Sequence, residues 1–249
     1  GYGHDPINPD EIMEWLKKYG SIIAPYVTDV SEYLSEAAAQ GKNIMFEAQL
    51  GALRDIDFGI YPYTSSSQTL ASFAPTGAGI PGTKLDNVIG IMKAYSTCVG
   101  EGPFTVEMFG DEAVKLRDAG GEYGAATGRP RRVGPFDVPA SRYGVRVQGA
   151  DSIALTKLDV LAYLDKIPVC TAYEVDGVKT TSFPTGPRLD RAKPVIEYVD
   201  GFGDVSGCRS YDELPEKAKD YIKFIEKAVG CPISYVSVGP GRDEYIKLI

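Results

Sequence analysis

The stretch 46–69, FEAQLGALRDIDFGIYPYTSSSQT, combines a dense run of polar side chains with two glycines and four successive hydroxyls. The mainly apolar residues just before it, 43–46, predict a short buried strand that leads into this loop. In α/β proteins, ligands bind in the crevice beyond the carboxyl ends of strands. Gly51 and Gly59 would let the backbone approach a ligand closely, and the hydroxyls of 64–67 can hydrogen-bond a phosphate. An ordinary turn with surface hydroxyls is the alternative interpretation.

Four further blocks rich in polar residues and glycine follow along the chain. They are 93–104 (KAYSTCVGEGPF), 124–134 (GAATGRPRRVG), 155–160 (LTKLDV) and 237–242 (SVGPGR). Together with 46–69, and in this order, they resemble the motifs of the adenylosuccinate synthetase family. Any one block alone would be a weak signal, but five in the family's order are specific. The resemblance covers nearly the whole chain, from about Tyr26 onward.

Predicted strands that alternate with helices and lead into polar loops favour an α/β fold with a mostly parallel, doubly wound sheet. No linker-like tract or charge block divides the chain, so we expect residues 1–249 to form a single domain. The resemblance implies the adenylosuccinate synthetase fold, which is similar to that of P-loop GTPases, here without its first strand and phosphate loop. Family members open with a phosphate loop, GDEGKGK, and a catalytic histidine segment. Neither motif occurs here, and the one histidine is His4, so the chain resembles the C-terminal portion of such an enzyme.

Periodicity and capping signals predict the individual elements. Helices are expected from Asn8-Pro9 to near Gly20 and over 29–40, 111–119, 139–147 and 215–229, and strands over 43–46, 88–96, 152–155, 167–175, 178–182, 194–199 and 233–238. Asp176-Gly177 is typical of a two-residue hairpin turn between 167–175 and 178–182.

Composition excludes several classes of protein. Hydrophobic residues make up 43% and charged residues 24% of the chain, which is ordinary for a globular protein. The formal charge of −8 argues against a nucleic-acid or anionic-membrane partner, and no apolar run is long enough to span a bilayer. The four cysteines are widely spaced, so we expect free thiols, a cytoplasmic location and no zinc site. They are Cys98, Cys170, Cys208 and Cys231.

Lys157-Leu158-Asp159 follows the predicted strand 152–155. A fixed carboxylate can accept two hydrogen bonds from guanine, whereas adenine has no such pair of donors and would leave a buried charge unpaired. A solvated ion pair at a strand end is the alternative. The motif is similar to the base-reading motif of GTP-binding proteins. The resemblance implies that GTP is bound by Arg131, Lys157, Asp159, Ser237 and Gly239.

Thr127-Gly128-Arg129-Pro130-Arg131-Arg132 places three guanidinium groups within four residues. Such groups repel one another unless anions neutralise them, and arginine is suited to bidentate contact with carboxylate or phosphate. A solvated basic loop is the alternative. The resemblance implies that Thr127, Arg129 and Arg131 bind the carboxylates of aspartate, and that Arg129 also contacts the inosine nucleotide.

The resemblance also implies an IMP site made of Ser65 in the hydroxyl run, Val99 with Gly100 beside the ribose, and a glutamine that orients the reacting oxygen of hypoxanthine. Relatives commonly read EGAQG, but here the run is Glu47-Ala48-Gln49-Leu50-Gly51. Gapless alignment places Leu50 at the glutamine position. Either the loop shifts by one residue and Gln49 acts as the catalytic, IMP-binding glutamine, or another group substitutes. Two more departures are Ala126, where relatives often have threonine, and Cys98, where they often have arginine.

The resemblance implies GTP-dependent ligation of IMP and L-aspartate to adenylosuccinate, the committed step of AMP synthesis, through a 6-phosphoryl-IMP intermediate. It also implies a homodimer, and Mg²⁺ as cofactor with ligands upstream of this chain and none within it. We expect the isolated chain to bind guanine, IMP and aspartate without a complete catalytic set. The alternatives are a guanine-nucleotide-binding module without ligase activity and a ligase with altered substrate choice.

Overall fold

The computed structural model describes Gly3 and residues 5–249, so His4 lies outside the described residues. The chain divides into two compact units. Unit 1 contains Gly1–Phe46 with Pro75–Thr83, and unit 2 contains Glu47–Ala74 with Lys84–Ile249. All of the predicted site residues fall in unit 2.

Unit 1 is built mainly from the helices α1 (Pro9–Ile23) and α2 (Val30–Ala39). Asn8 caps α1 as predicted, because its side chain accepts a 3.0 Å hydrogen bond from the amide of Asp10. Asp29 caps α2 in the same way, accepting from the amide of Glu32 at 3.0 Å. The prediction that α1 ends near Gly20 was wrong by three residues, because a helical glycine weakens a helix without stopping it.

The predicted strand 43–46 is not formed. A strand needs a neighbour that pairs with its backbone, and no described strand pairs with these residues. Met45 is 89% exposed, so the apolar side chains of this segment are not all buried in the described structure. The loop that follows is therefore entered from an irregular segment and not from a buried strand.

Unit 2 contains most of the regular structure. A short helix, α3 (Ala74–Gly77), begins at the last residue of the unit 2 segment Glu47–Ala74 and otherwise belongs to unit 1. The helices of unit 2 are α4 (Gly110–Gly120), α5 (Val138–Gln148), α6 (Pro187–Asp190) and α7 (Glu216–Val229). Its strands are β1 (Ile89–Lys93), β2 (Ser96–Cys98), β3 (Arg132–Gly134), β4 (Phe136–Asp137), β5 (Ser152–Thr156), β6 (Lys166–Val175), β7 (Val178–Thr180), β8 (Lys193–Asp200), β9 (Ile233–Ser237) and β10 (Tyr245–Lys247).

The strands form three sheets, and the predicted α/β fold is confirmed. The first sheet has the order β1-β5-β9-β10, in which β1, β5 and β9 are parallel and β10 is antiparallel. In the second, β2 pairs with β3. In the third, β6 pairs in parallel with β4 and antiparallel with β7 and β8. The predicted hairpin turn joins β6 to β7 at Asp176 and Gly177, which both have positive φ angles.

The core of unit 2 lies between the parallel strands and the helices. Ile153 and Leu155 of β5 are fully buried. The predicted apolar stripe of α7 is also buried, and it comprises Tyr221, Ile222, Ile225 and Val229. Because parallel strands end at the same edge of a sheet, β5 and β9 deliver their following loops side by side. No described helix has both the length and the apolar character needed to cross a bilayer.

Candidate functional site

The ends of β5 and β9 are joined by hydrogen bonds. The backbone amide of Lys157 donates to the hydroxyl of Ser237 at 2.9 Å, and the amide of Leu158 donates to the carbonyl of Ser237 at 3.2 Å. Lys157 has a φ of 60°, a left-handed conformation that costs free energy in a residue with a Cβ. The sharp turn at Lys157 therefore brings 157–159 and Ser237 together.

Asp159 begins a short 3₁₀ helix, Asp159–Tyr163, directly after this turn. Its Oδ1 atom is buried and has no hydrogen-bond partner among the described residues. Burial raises the pKa of Asp159, although local amides and the charge of Lys157 oppose that shift. A buried carboxylate oxygen without a donor is costly, so this atom is suited to accept hydrogen bonds from a ligand.

The glycine-rich turn after β9 forms the other side of this edge. The amide of Gly241 donates to Oε2 of Glu244 at 2.5 Å. A Cβ on Gly239 would lie 2.4 Å from that same oxygen, so a side chain at this position would displace Glu244. Gly239 thus leaves room for the Glu244 carboxylate in the turn beside Ser237.

A second group of charged residues surrounds the side chain of Glu122, which is fully buried. Its carboxylate accepts hydrogen bonds from Nζ of Lys93 at 2.8 and 2.9 Å, from the hydroxyl of Tyr95 at 2.6 Å and from Nη1 of Arg131 at 2.9 Å. Nζ of Lys157 lies 3.5 Å from the same carboxylate. We call these five residues the Glu122 cluster.

The electrostatics of the Glu122 cluster follow from its composition. Burial would raise the pKa of Glu122, but hydrogen bonds from Lys93 and Tyr95 and the charges of Lys93 and Lys157 lower it to about 2. Burial lowers the pKa of Lys93, and the charges of Lys157 and Arg131 lower it further. The hydrogen bond to Glu122 and its negative charge oppose this shift. Three cations therefore share one carboxylate, and the cluster can accept further negative charge.

The arginine loop, residues 124–132, is folded tightly on itself. The amide of Gly124 donates to the carbonyl of Arg129 at 2.8 Å, and the amide of Gly128 donates to the carbonyl of Gly124 at 2.8 Å. The hydroxyl of Thr127 accepts from the amide of Arg129 at 3.3 Å. The side chains of Thr127 and Arg129 are exposed, while Nε of Arg131 is buried without a described partner.

Arg132, the third arginine of the run, is used within the protein. Its guanidinium pairs with Glu107 and donates from Nη1 to the carbonyls of Gly100 and Gly102 at 3.2 and 2.8 Å. It therefore holds the turn after β2 against β3. Of the three arginines, Arg129 and Arg131 remain available for a ligand.

Arg54 holds the same turn from the other side. Its guanidinium donates to the carbonyl of Val99 at 2.7 Å, to the carbonyl of Glu101 at 3.2 Å, and to the carbonyl of Tyr63. It also lies 2.9 Å from Sγ of Cys98. The predicted ribose-facing segment, Val99 and Gly100, is thus fixed to the loop 46–69 by one side chain. We call this the Arg54 bridge.

Asp55 organises the loop 46–69 from inside. It is buried, and its carboxylate accepts from the amides of Asp57 and Phe58, both at 2.9 Å, and from the amide of Thr69 at 2.6 Å. Burial alone would raise the pKa of Asp55, but the hydrogen bonds from these amides lower it below its ordinary value. Gly59 packs against the loop's own backbone, since a Cβ there would lie 2.4 Å from the carbonyl oxygen of Asp55. Some of the polar residues in this loop, such as Asp55, therefore stabilise the fold of the loop itself.

The predicted phosphate-binding hydroxyl belongs to Ser65, which is half-buried. Its amide donates to the carbonyl of Arg54 at 2.8 Å, and its hydroxyl accepts from the amide of Ser67 at 3.1 Å. The same residue that orders Val99 thus also orders Ser65. The two predicted IMP-contacting segments are brought together by the Arg54 bridge.

Gln49 and Leu50 are both exposed, with Leu50 at 56%. Leu50 has a φ of 73° and Gly51 one of 83°, so two successive residues have positive φ angles. That conformation disfavours a side chain at Leu50, and it turns the chain sharply between Gln49 and the 3₁₀ helix Ala52–Arg54. Neither side chain is held by a described contact in the hydrogen-bond network, so the assignment of Gln49 stays a prediction.

Glu122, Lys93 and Tyr95 were not among the site residues predicted from the sequence. The available signals were weak: Lys93 ends an otherwise apolar strand, and Glu122 lies just before the arginine loop. The four cysteines are free thiols, and the described residues contain no group of three His, Cys, Asp or Glu side chains that could hold a metal ion.

Parallel strands that end in polar, charged loops at one edge of a sheet define an α/β protein with a candidate ligand site at that edge. The family model of adenylosuccinate synthetase matches residues 2–246 of the chain. The chain belongs to the adenylosuccinate synthetase family.

Individual relatives agree with this. The chain is 44% identical to the adenylosuccinate synthetase of Pelobacter propionicus over 99% of its own length and 58% of that protein. It is 46% identical to that of Syntrophotalea carbinolica over the same shares of the two chains. The solved structure of fully ligated adenylosuccinate synthetase from Plasmodium falciparum superposes with a TM-score of 0.92 at 36% identity, covering 98% of this chain and 59% of that one. The chain spans less than three fifths of the length of these relatives.

Proposed function

We propose that this chain supplies the guanine-, IMP- and aspartate-binding residues of an enzyme that joins IMP and L-aspartate into adenylosuccinate at the expense of GTP. Family membership supports the general synthetase function. The assignment of individual residues rests on the geometry of unit 2.

The observation that carries the proposal is the buried Oδ1 of Asp159, which has no partner among the described residues. N1–H and the exocyclic amine of guanine would satisfy the Asp159 carboxylate, with the stem of Lys157 against the base and Ser237 and Gly239 beside it. Adenine has no N1–H beside an amine, so it would leave the carboxylate without this pair of donors, at a cost of about 2–3 kcal/mol. This site therefore selects GTP over ATP.

In the first step, N1 of the hypoxanthine loses its proton, the C6 oxygen of IMP attacks the γ-phosphorus of GTP, and the bond from that phosphorus to the β-phosphate oxygen breaks to release GDP. Catalysis of such a transfer consists mostly of positioning and charge neutralisation. In this chain, Ser65 donates to the IMP phosphate, and the Val99-Gly100 backbone, fixed by Arg54, lies beside the ribose. Gln49 orients the hypoxanthine, and Leu50 contacts the nucleotide.

In the second step, the aspartate amine forms a bond to C6 of the base, phosphate leaves with the C6 oxygen, and the amine loses a proton. Thr127, Arg129 and Arg131 hold the aspartate carboxylates. The unpaired Nε of Arg131 supports this role, because a guanidinium with a free edge can form a charge-assisted hydrogen bond. Arg129 also contacts IMP, and Arg131 also contacts GTP.

Mg²⁺ is implied by the family, but the described residues do not assemble a set of ligands that fits it. No step is therefore assigned to a metal on this chain. A homodimer in the cytoplasm is also part of the proposal, and it rests on the family resemblance.

The test is formation of adenylosuccinate from IMP, GTP and L-aspartate. It compares this 249-residue chain with the polypeptide encoded by its complete reading frame. Activity that requires the longer polypeptide and is lost in its D159N variant would support the proposal. Activity in the short chain would contradict the incomplete catalytic set, and activity in neither would favour a guanine-nucleotide-binding module or an altered substrate.

A further inference from the structure

Glu122 stands at the centre of the proposed binding residues without facing a substrate itself. Its side chain is fully buried, whereas Lys93, Arg131 and Lys157 are each partly exposed. The carboxylate thus lies beneath three cations whose outer sides remain open. A buried carboxylate in this position fixes the cations more firmly than solvent would.

Each of the three cations belongs to, or contacts, a different segment of the proposed site. Lys157 belongs to the guanine-reading turn after β5. Arg131 belongs to the arginine loop, and its backbone amide also donates to the carbonyl of Glu122 at 2.9 Å. Lys93 donates to the hydroxyl of Thr97 at 3.0 Å, two residues before Val99. One carboxylate therefore touches side chains of the guanine, aspartate and IMP segments.

We propose that Glu122 is a positioning residue that holds Lys157, Arg131 and Lys93 in register, so that the guanine, aspartate and IMP segments are preorganised together. The identity of the three ligands rests on the proposed function. The claim that Glu122 orders three segments rests on its contacts alone, so it can hold even if the proposed function is wrong.

The chain offers a matched control in Asp137, a second buried carboxylate of unit 2. Asp137 caps α5 by accepting from the amide of Ala140 at 3.1 Å, and it accepts from the hydroxyl of Tyr173 at 2.5 Å. It is buried like Glu122, but it has no cationic partner among the described residues and touches none of the proposed ligand-binding residues. D137N therefore reports the general effect of neutralising a buried carboxylate.

The first arm uses the 249-residue chain without ligand and measures amide hydrogen exchange in E122Q and D137N. If Glu122 orders the three segments, E122Q increases exchange in 93–98, 127–132 and 157–159 by about tenfold or more and leaves β6 unchanged. D137N changes exchange near α5 and β6 and not in those segments. Equal exchange of the three segments in E122Q and wild type would overturn the inference.

The second arm titrates guanosine into wild type, E122Q, K157M and the double variant E122Q/K157M. We expect K157M to weaken binding about tenfold in the wild type and no more than about twofold in the E122Q background, because Lys157 is already misplaced there. Additive losses would overturn the inference. Failure of the wild type to bind guanosine would contradict the proposed function alone, and the first arm would still decide the role of Glu122.

Discussion

The backbone amide of Lys157 donates a 2.9 Å hydrogen bond to the hydroxyl of Ser237, although the two residues are 80 positions apart. This bond links the ends of two parallel strands and fixes the turn that presents Asp159. We expect S237A to lower guanosine affinity about threefold and the free energy of unfolding by about 1 kcal/mol, as for loss of one hydrogen bond. Isothermal titration and urea unfolding measure the two effects.

The control for S237A is S35A, a change on the exposed surface of α2 in unit 1. It should leave guanosine binding unchanged, and alanine is a slightly better helix former than serine. An S237A variant that binds as tightly as S35A would show that the Ser237 hydroxyl does not hold the base-reading turn.

Replacement of Asp159 by asparagine should change which base is bound. An asparagine side chain can accept one hydrogen bond from N1–H but presents an N–H donor where the guanine amine needs an acceptor. We expect D159N to lose guanosine affinity by about 30-fold or more, and to favour xanthosine, whose C2 oxygen accepts that donor. Competition titrations with the two nucleosides test the exchange, and unchanged preference for guanosine would refute it.

The Arg54 bridge predicts a local effect of R54A. Removal of the guanidinium leaves the carbonyls of Tyr63, Val99 and Glu101 without this donor. We expect faster amide exchange over 98–102 and a loss of about 1–3 kcal/mol in local stability, with exchange in α7 unchanged. R142A, at an exposed position of α5, is the control. Identical exchange over 98–102 in both variants would mean that Arg132 alone holds the turn.

The Glu122 cluster makes stability depend on pH in a defined window. The pKa of Glu122 lies at about 2 in the folded chain, below its ordinary value of 4.5. Its contribution to stability is therefore present above pH 4.5 and is lost as pH falls toward 2. The difference in free energy of unfolding between wild type and E122Q should be constant above about pH 5 and shrink below it.

Asp137 makes stability depend on pH in the opposite direction. Burial raises its pKa from 3.8 to about 6, so the folded chain retains a proton that the unfolded chain has lost. The stabilisation is present below pH 3.8 and disappears as pH rises through 6. The difference in free energy of unfolding between wild type and D137N should therefore change between pH 5 and 6, where the E122Q difference stays nearly flat. Urea unfolding over a pH series measures both, and coincident profiles would contradict the assignment.

The local features of this fold were predictable from sequence because their causes are local. Asn8, Asp29 and the Asp176-Gly177 turn act within a few residues, and the α7 stripe follows from helical spacing. The parallel sheet was indicated by the alternation of elements. The segment 43–46 shows the limit, since apolar residues form a strand only where a partner strand is available.

The candidate site was predictable in its motifs but not in its connections. Lys157 and Asp159 were named because they follow a predicted strand, and they and Ser237 lie in blocks that resemble the motifs of the family. Glu122 contacts Lys93 across 29 positions, and Arg54 contacts Val99 across 45 positions. Such pairs are set by tertiary packing, and no spacing rule connects their members. The buried carboxylate that joins the segments therefore emerged only from the structure.

A titration of the 249-residue chain with guanosine and with adenosine, followed by amide NMR, shows whether Asp159 reads guanine. Nucleosides isolate base reading from phosphate binding. The account predicts that guanosine shifts the amides of 157–159 and 237–239, that adenosine binds at least about 30-fold more weakly, and that D159N abolishes the guanosine shifts. Equal binding of the two nucleosides, or guanosine shifts that survive D159N, would contradict a guanine site at Asp159.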